Sequence, residues 1–206
     1  MPSKKIRAII SDIGRVIVGV DVSRSVQSLS TGISLSPKEI WSAIENDPRW
    51  PDLQEGRITA RDWHLHIVRR LGSNLTYDQF IQAWNMALLP EALQPDSLWV
   101  GLAKNYRLAL LSNTDPIHVA HMESTFSFFK YFLVRIYSCV VGASKPSPLV
   151  YLEALRALKV RSHEAVYIDD LQENVDAARA LGMSGVHCTA PEKLAGCLRE
   201  LGIDIP

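Results

Sequence analysis

The chain has 206 residues, 47% of them hydrophobic, and its 22 basic residues cancel its 22 acidic ones to a formal net charge of zero. That length fits one well-buried core with a modest insertion, and a balanced charge with neither sign gathered into a block leaves no footprint for nucleic acid or an anionic membrane, so a small-molecule partner fits better. No apolar run reaches the roughly 18 residues of a membrane span, "MPSKK" lacks the apolar stretch and cleavage site of a secretory signal, and the scattered Cys139, Cys188 and Cys197 read as reduced thiols. The expected compartment is the cytoplasm.

The first element is "IRAIISDIGRVIVGVD" (6–21), a nearly continuous apolar run broken by Asp12 and by Gly14. It reads as a buried strand that stops at a carboxylate. From about 22 to 95 no convincing strand is found. Three helix starts share one pattern there: Ser36-Pro37-Lys38-Glu39, Thr59-Ala60-Arg61-Asp62 and Thr76-Tyr77-Asp78-Gln79 each place a hydroxyl three residues before an acid or amide, the capping-box signature. "RLALLS" (107–112), "IYSCVVG" (136–142), "AVYIDD" (165–170) and "SGVHCT" (184–189) then read as short buried strands. "DSLWVGLAKNY", "SPLVYLEALRALK", "ENVDAARALG" and "PEKLAGCLREL" carry apolar residues at three- and four-residue steps, as amphipathic helices do. The pattern predicts an α/β fold: a doubly wound, mainly parallel, Rossmann-like sheet formed by 1–21 and 96–206, with 22–95 inserted as a helical cap.

In an open parallel sheet, ligands bind beyond the carboxyl ends of the strands. Those ends supply Asp12, then Ser112-Asn113-Thr114, then Asp169-Asp170, with Lys145 from "GASKPSP" close by. Crowded carboxylates repel one another, and a hard divalent cation such as Mg²⁺, bound through oxygen, is the usual relief. A phosphoryl group beside that cation needs donors for its oxygens, which Ser112, backbone N–H groups and Lys145 can provide. The natural chemistry is phosphoryl transfer with Asp12 as attacking nucleophile.

These stretches resemble the haloacid dehalogenase-like hydrolases. "SDIGRVIV", "LLSNT", "SKPSPLVY" and "VYIDDLQENVDAARALG" match the family's four motifs in order and spacing over essentially the whole chain, the helical insertion is similar to the family's small first-class cap, and "QEGRITARDW" resembles a turn and helix of its sugar-phosphatase branch. The resemblance implies a nucleophilic, metal-ligating Asp12, a metal-ligating carbonyl at Gly14, direct coordination by Asp170, and coordination through water by Asp169. It further implies that Ser112 and Asn113 grip the phosphoryl group, that Lys145 balances its charge, and that Asn174 belongs to the metal's surroundings.

One departure stands out. Most phosphatases of the family have a second aspartate two positions after the nucleophile as general acid and base, where this chain has Gly14; a subset with the same "DxG" pattern includes phosphatases of sugar phosphates. Arg15 is a candidate contact for an anionic substrate group, and Arg49 and Trp50 are candidates for a segment closing over the substrate, although a solvated loop with one packed indole is the better reading of that stretch. His118 and His121 lie three apart but show no carboxylate or cysteine at ligand spacing. The expected activity is Mg²⁺-dependent hydrolysis of small phosphomonoesters, with sugar phosphates as one class. The alternatives are a metal-independent 2-haloacid dehalogenase, which usually has serine and asparagine in place of Asp169-Asp170, and a non-catalytic binding module derived from the fold. Oligomeric state is left open.

Overall fold

A computed structural model describes residues 5–205. In chain order its first elements are β1 (Ala8–Ser11), β2 (Val18–Val20), α1 (Val22–Leu29), α2 (Pro37–Glu45), α3 (Trp50–Gln54), α4 (Ala60–Leu71), α5 (Tyr77–Asn85) and β3 (Leu88–Ala92). There follow α6 (Asp96–Asn105), β4 (Arg107–Ser112), α7 (Pro116–Thr125), β5 (Val134–Tyr137), α8 (Ser138–Val141), α9 (Pro148–Leu158), β6 (Ala165–Asp169), α10 (Gln172–Ala180), β7 (Ser184–His187) and α11 (Leu194–Glu200). Five strands form one parallel sheet in the order β5-β4-β1-β6-β7, the doubly wound arrangement expected from the alternation of strands and helices. No helix of the described residues is long and apolar enough to cross a membrane.

Successive side chains of a strand point to opposite faces, so the central strands must be apolar on both. Ile9, Leu108, Leu110, Val166 and Ile168 pack on one face with Leu98, Trp99 and Leu102 of α6 and with Leu194 and Leu198 of α11. Ala8, Ile10, Ala109, Leu111 and Tyr167 pack on the other with Val150, Tyr151, Ala154 and Leu158 of α9. A third apolar cluster joins α1 to α5 through Val26, Ile40, Leu53, Trp63, Ile67, Phe80 and Trp84, and Ile117 of α7 reaches into it. All three capping boxes form in both directions, at Ser36 with Glu39, Thr59 with Asp62 and Thr76 with Gln79, and Gly72 ends α4 in the left-handed conformation.

Three local expectations need correction. The run 136–142 is strand only as far as Tyr137; Ser138–Val141 form one helical turn closed by left-handed Gly142. The stretch 22–95 does contain a strand: β3 pairs antiparallel with β2 as a two-stranded ribbon, and Pro90 is tolerated because the ribbon has no further neighbour to bond. The segment around Trp50 is helical rather than irregular, and α1, started by the Asp21 side chain accepting from the Ser23 N–H, had no counterpart among the expected helices.

The α1–α5 cluster lies against segments that follow the carboxyl ends of the strands. One close approach is at Gly56, just after α3, where a Cβ would fall 2.1 Å from the carbonyl oxygen of Cys139 in α8. Gly56 and Gly72 both have positive φ, 68° and 64°, but a Cβ on Gly72 would meet nothing within 4 Å. Gly72→Ala should therefore show only the backbone penalty, about 1 kcal/mol, whereas Gly56→Ala adds a clash and should cost about 3 kcal/mol. Urea unfolding of the two variants checks this; equal losses would mean that the close approach at Gly56 carries no energy.

Candidate active site

Register brings the site together. Ser11 pairs with Leu110 on one side and Ile168 on the other, so the next residue, Asp12, stands level with Leu111 and Asp169, and its N–H donates to the Ile168 carbonyl at 2.8 Å. Lys145, in the loop before α9, fills the space between them. Its Nζ lies 2.8 Å from Asp12 Oδ1 and 2.8 Å from Asp169 Oδ2, and it donates to the Leu111 carbonyl at 3.2 Å. The lysine is buried, with 7% of its surface exposed. Burial works against its charge, but Asp12 and Asp169 outweigh that and raise its pKa above the ordinary lysine value.

The two carboxylates are treated differently. Burial also works against the charge of Asp169, yet Lys145 and the phenol of Tyr167 overcome it and hold the carboxyl below its usual range. Asp169 is completely enclosed: Tyr167 donates to Oδ2, and the Leu171 N–H and Asn174 Nδ2 donate to Oδ1 at 2.8 and 3.0 Å. Burial pushes Asp12 up to about 6, with the nearby Asp169 adding to the effect and Lys145 only partly opposing it. Since an ordinary aspartate ionises near 3.8, the folded chain holds this proton longer than an unfolded one, and ionising Asp12 works against folding across that interval. Asp170 is also raised, by burial and then by Asp169, while Arg15 Nη1 sits 3.7 Å from its Oδ2.

Of the residues singled out from sequence, Asp12, Lys145, Asp169 and Asp170 meet at one place. Ser112 lies buried at the end of β4, beside Leu111, whose carbonyl receives the Lys145 bond. Gly14 lies in the turn after β1 and bridges to Val18, and Arg15 follows it with a φ of 55°. Asn113 has a further role. Its side chain accepts from the Lys145 N–H at 2.7 Å and donates to the Lys145 carbonyl at 3.0 Å, so both amide atoms hold the lysine backbone. Tyr167 was missed, although its position two residues before Asp169 on one strand face is a legible signal. Asn174 supports Asp169 with its Nδ2, while its buried Oδ1 has no partner among the described residues.

Beyond this cluster a hollow of about 150 Å³ opens between α1–α5 and the segment after β4, lined by Trp41, Trp50 and Trp84 among others. Trp50 packs 5.6 Å from Trp63 and 5.5 Å from Trp84, ring centre to ring centre. His118 does have a carboxylate partner, contrary to the sequence reading: its Nδ1 lies 2.9 Å from Oδ2 of Asp115, three residues earlier. Burial disfavours both charges, but each outweighs it for the other, lowering Asp115 and raising His118.

Asp12, Asp169 and Asp170 each offer a carboxylate oxygen, all within 4.8 Å of one another, and one lysine cannot neutralise three acids. Hard oxygen donors, a surplus of negative charge and the unpartnered Asn174 Oδ1, which suits a water of the ion's shell, fit a divalent cation such as Mg²⁺. The sequence family described as haloacid dehalogenase-like hydrolase matches residues 8–182. The chain belongs to the haloacid dehalogenase-like hydrolases. Within that family it is 25% identical over 205 residues to the D-ribitol-5-phosphate phosphatase of Bacteroides thetaiotaomicron, covering 96% of this chain and 98% of that one. It is 26% identical over 209 residues to the sesquiterpene phosphatase astK of Aspergillus oryzae, covering 95% and 96%. A haloacid dehalogenase family enzyme of Bacteroides thetaiotaomicron, solved with magnesium and inorganic phosphate, superposes with a TM-score of 0.79 at 24% identity, covering 88% of this chain and 93% of that one.

Lys145→Met leaves two buried carboxylates facing one another without a cation. It should cost about 3–5 kcal/mol near neutral pH. The loss should shrink as pH falls, because the raised carboxyl pKa values then let the folded state take up protons. Urea unfolding at several pH values measures this; a loss independent of pH would show that packing, not charge, is what Lys145 contributes.

Proposed function

We propose that the chain is a Mg²⁺-dependent phosphatase that hydrolyses small phosphomonoesters through a phosphorylated Asp12. The reading is carried by one observation: a buried ammonium held between Asp12 and Asp169 with a third carboxylate beside them. In this reading 1–21 and 96–206 form the catalytic core, 22–95 forms the cap, and the protein acts in the cytoplasm on a phosphorylated metabolite.

Asp12 Oδ attacks phosphorus, forming the acyl-phosphate bond while the bond to the ester oxygen breaks. Its Lys145 contact holds the carboxylate ionised and aimed, and the ammonium stays beside the phosphoryl charge that arrives. Asn113 acts as a positioning residue by clamping the Lys145 backbone, while Ser112 offers a hydroxyl to a phosphoryl oxygen. Tyr167 and Asn174 hold Asp169 in place. Asp12, Asp170 and the Gly14 carbonyl would hold Mg²⁺ directly, with Asp169 acting through water, and the ion would supply charge neutralisation at the phosphoryl group. The leaving oxygen takes its proton from water because Gly14 provides no acid. Water then cleaves the acyl phosphate, releasing phosphate and restoring Asp12.

The family also contains metal-independent dehalogenases, but three converging carboxylates are a poor design for chemistry that needs no cation. A panel of phosphate esters should be hydrolysed with Mg²⁺ and not with excess chelator, and Asp12→Asn should remove turnover. Metal-independent release of halide from 2-haloacids would replace this reading, and inertness toward every ester, acyl phosphates included, would favour a binding module.

The missing acid can be restored. A Cβ on Gly14 meets only Val20 Cγ2, at an ordinary 3.6 Å, so the backbone there accepts a side chain's first carbon without a clash. Gly14→Asp should raise kcat for alkyl phosphates by about 10², within the usual range for a positioned acid, and for aryl phosphates far less. Equal gains for both classes would contradict the assignment of the acid–base step to this position.

A further inference from the structure

The two relatives are named for a polyol phosphate and for sesquiterpenes, so family membership leaves the organic half of the substrate open. The hollow beneath the cap bears on it. Trp41, Trp50, Trp84, Val26 and Ile44 line it, together with Asn113 and Thr114, which directly follow Ser112 in the chain. That places it next to the end of β4 that carries Ser112.

Six polar or charged side chains border it, and Asn113, Asp115 and His118 are already committed. Asp115 Oδ1 accepts from the Ile117 and His118 N–H groups at 2.9 and 3.1 Å, and its Oδ2 receives Trp84 Nε1 at 3.1 Å and pairs with His118. His118 Nε2 lies 3.3 Å from the Trp84 carbonyl. Both ends of the Asn113 amide are held by Lys145. The polar groups left to a ligand are the hydroxyls of Ser25 and Thr114, the end of Gln54 and the indole N–H groups of Trp41 and Trp50.

Resting on the phosphatase reading above, we infer that the substrate is the phosphate monoester of an alcohol with an apolar body, aromatic or branched aliphatic, about the size of a benzene ring. An apolar cavity of about 150 Å³ is the size that takes up benzene. Protein interiors otherwise pack closely, so an apolar space of this size at the edge of a reaction centre suits a ligand better than it suits stability. A sugar or polyol body carries several hydroxyls that would lose water and find few partners here.

The test holds leaving-group acidity nearly constant by using esters of primary alcohols. With Mg²⁺ and the full chain, kcat/KM should rise about three- to fourfold per methylene from methyl to pentyl phosphate, mainly through KM, and level off near six carbons. 3-Methylbutyl and benzyl phosphate should each exceed ribitol 5-phosphate at least tenfold. A flat series, or ribitol 5-phosphate ahead of 3-methylbutyl phosphate, overturns the inference while leaving a phosphatase in place. Hydrolysis of none of these esters overturns the phosphatase reading and this inference with it. A second measurement does not depend on turnover. Benzylphosphonate should quench tryptophan fluorescence and bind at least tenfold tighter than methylphosphonate, and Trp50→Ala should narrow that gap. Equal binding of the two phosphonates to the unmodified protein would also overturn the inference.

Discussion

The arrangement depends on one buried ammonium. Lys145 stands between Asp12 and Asp169 at 2.8 Å from each, and without it two carboxylates from adjacent strands would face each other in a site almost closed to water. Removing charges from water costs several kcal/mol each, so such a cluster persists only where the charges are matched in position. Much of the surrounding chain serves that end. Asn113 fixes the lysine backbone, the Leu111 carbonyl takes a further ammonium hydrogen, and Tyr167, Asn174 and the Leu171 N–H hold Asp169 in place. The match is deliberately incomplete at Asp12, which keeps a raised pKa of about 6, and at Asp170, whose partner Arg15 is distant and largely exposed. The residual negative charge is what a divalent cation and an electrophilic phosphorus would meet.

The sheet and the three capped helices were legible because both signals are local. A buried parallel strand must be apolar on both faces, and a hydroxyl three residues before an acid or amide satisfies a helix start from within four residues of chain. The errors arose where local preference was overruled. The β-branched "CVV" after Tyr137 favours strand, but Gly142 turns the chain back and makes it one helical turn. "LLPEA" contains a proline that argues against a strand, yet the β2–β3 ribbon leaves that position without a partner to satisfy. For the site, strand ends and motif spacing placed Asp12, Lys145, Asp169 and Asp170 correctly together. What they could not place were contacts made by backbone far away in sequence, above all the grip of Asn113 on a lysine 32 residues on. The Asp115–His118 pair was overlooked for a different reason: it was sought as a metal site, whereas it serves as a helix cap and an internal ion pair.

The same economy of polar groups distinguishes the acidic cluster from the hollow beside it. Around Asp12 the groups are charged and arranged to receive more charge. Beside Trp41 and Trp50, the polar groups of Trp84, Asp115 and His118 satisfy one another, so that part of the wall is apolar in effect although its composition is mixed. One side chain of the β4–α7 segment therefore sets the lysine, Asn113, and the next acidic one, Asp115, helps to set the hollow. The close approach at Gly56 brings the end of α3, which begins with Trp50, against α8.

The central claim is that Lys145 organises Asp12, Asp169 and Asp170 into a site for one divalent cation. Anomalous diffraction from crystals grown with Mn²⁺ tests it most directly. The account predicts a single strong peak about 2.1 Å from carboxylate oxygens of Asp12 and Asp170, with Lys145 still bound to Asp12 and Asp169. A peak held elsewhere, with those two carboxylates free of metal, would contradict it.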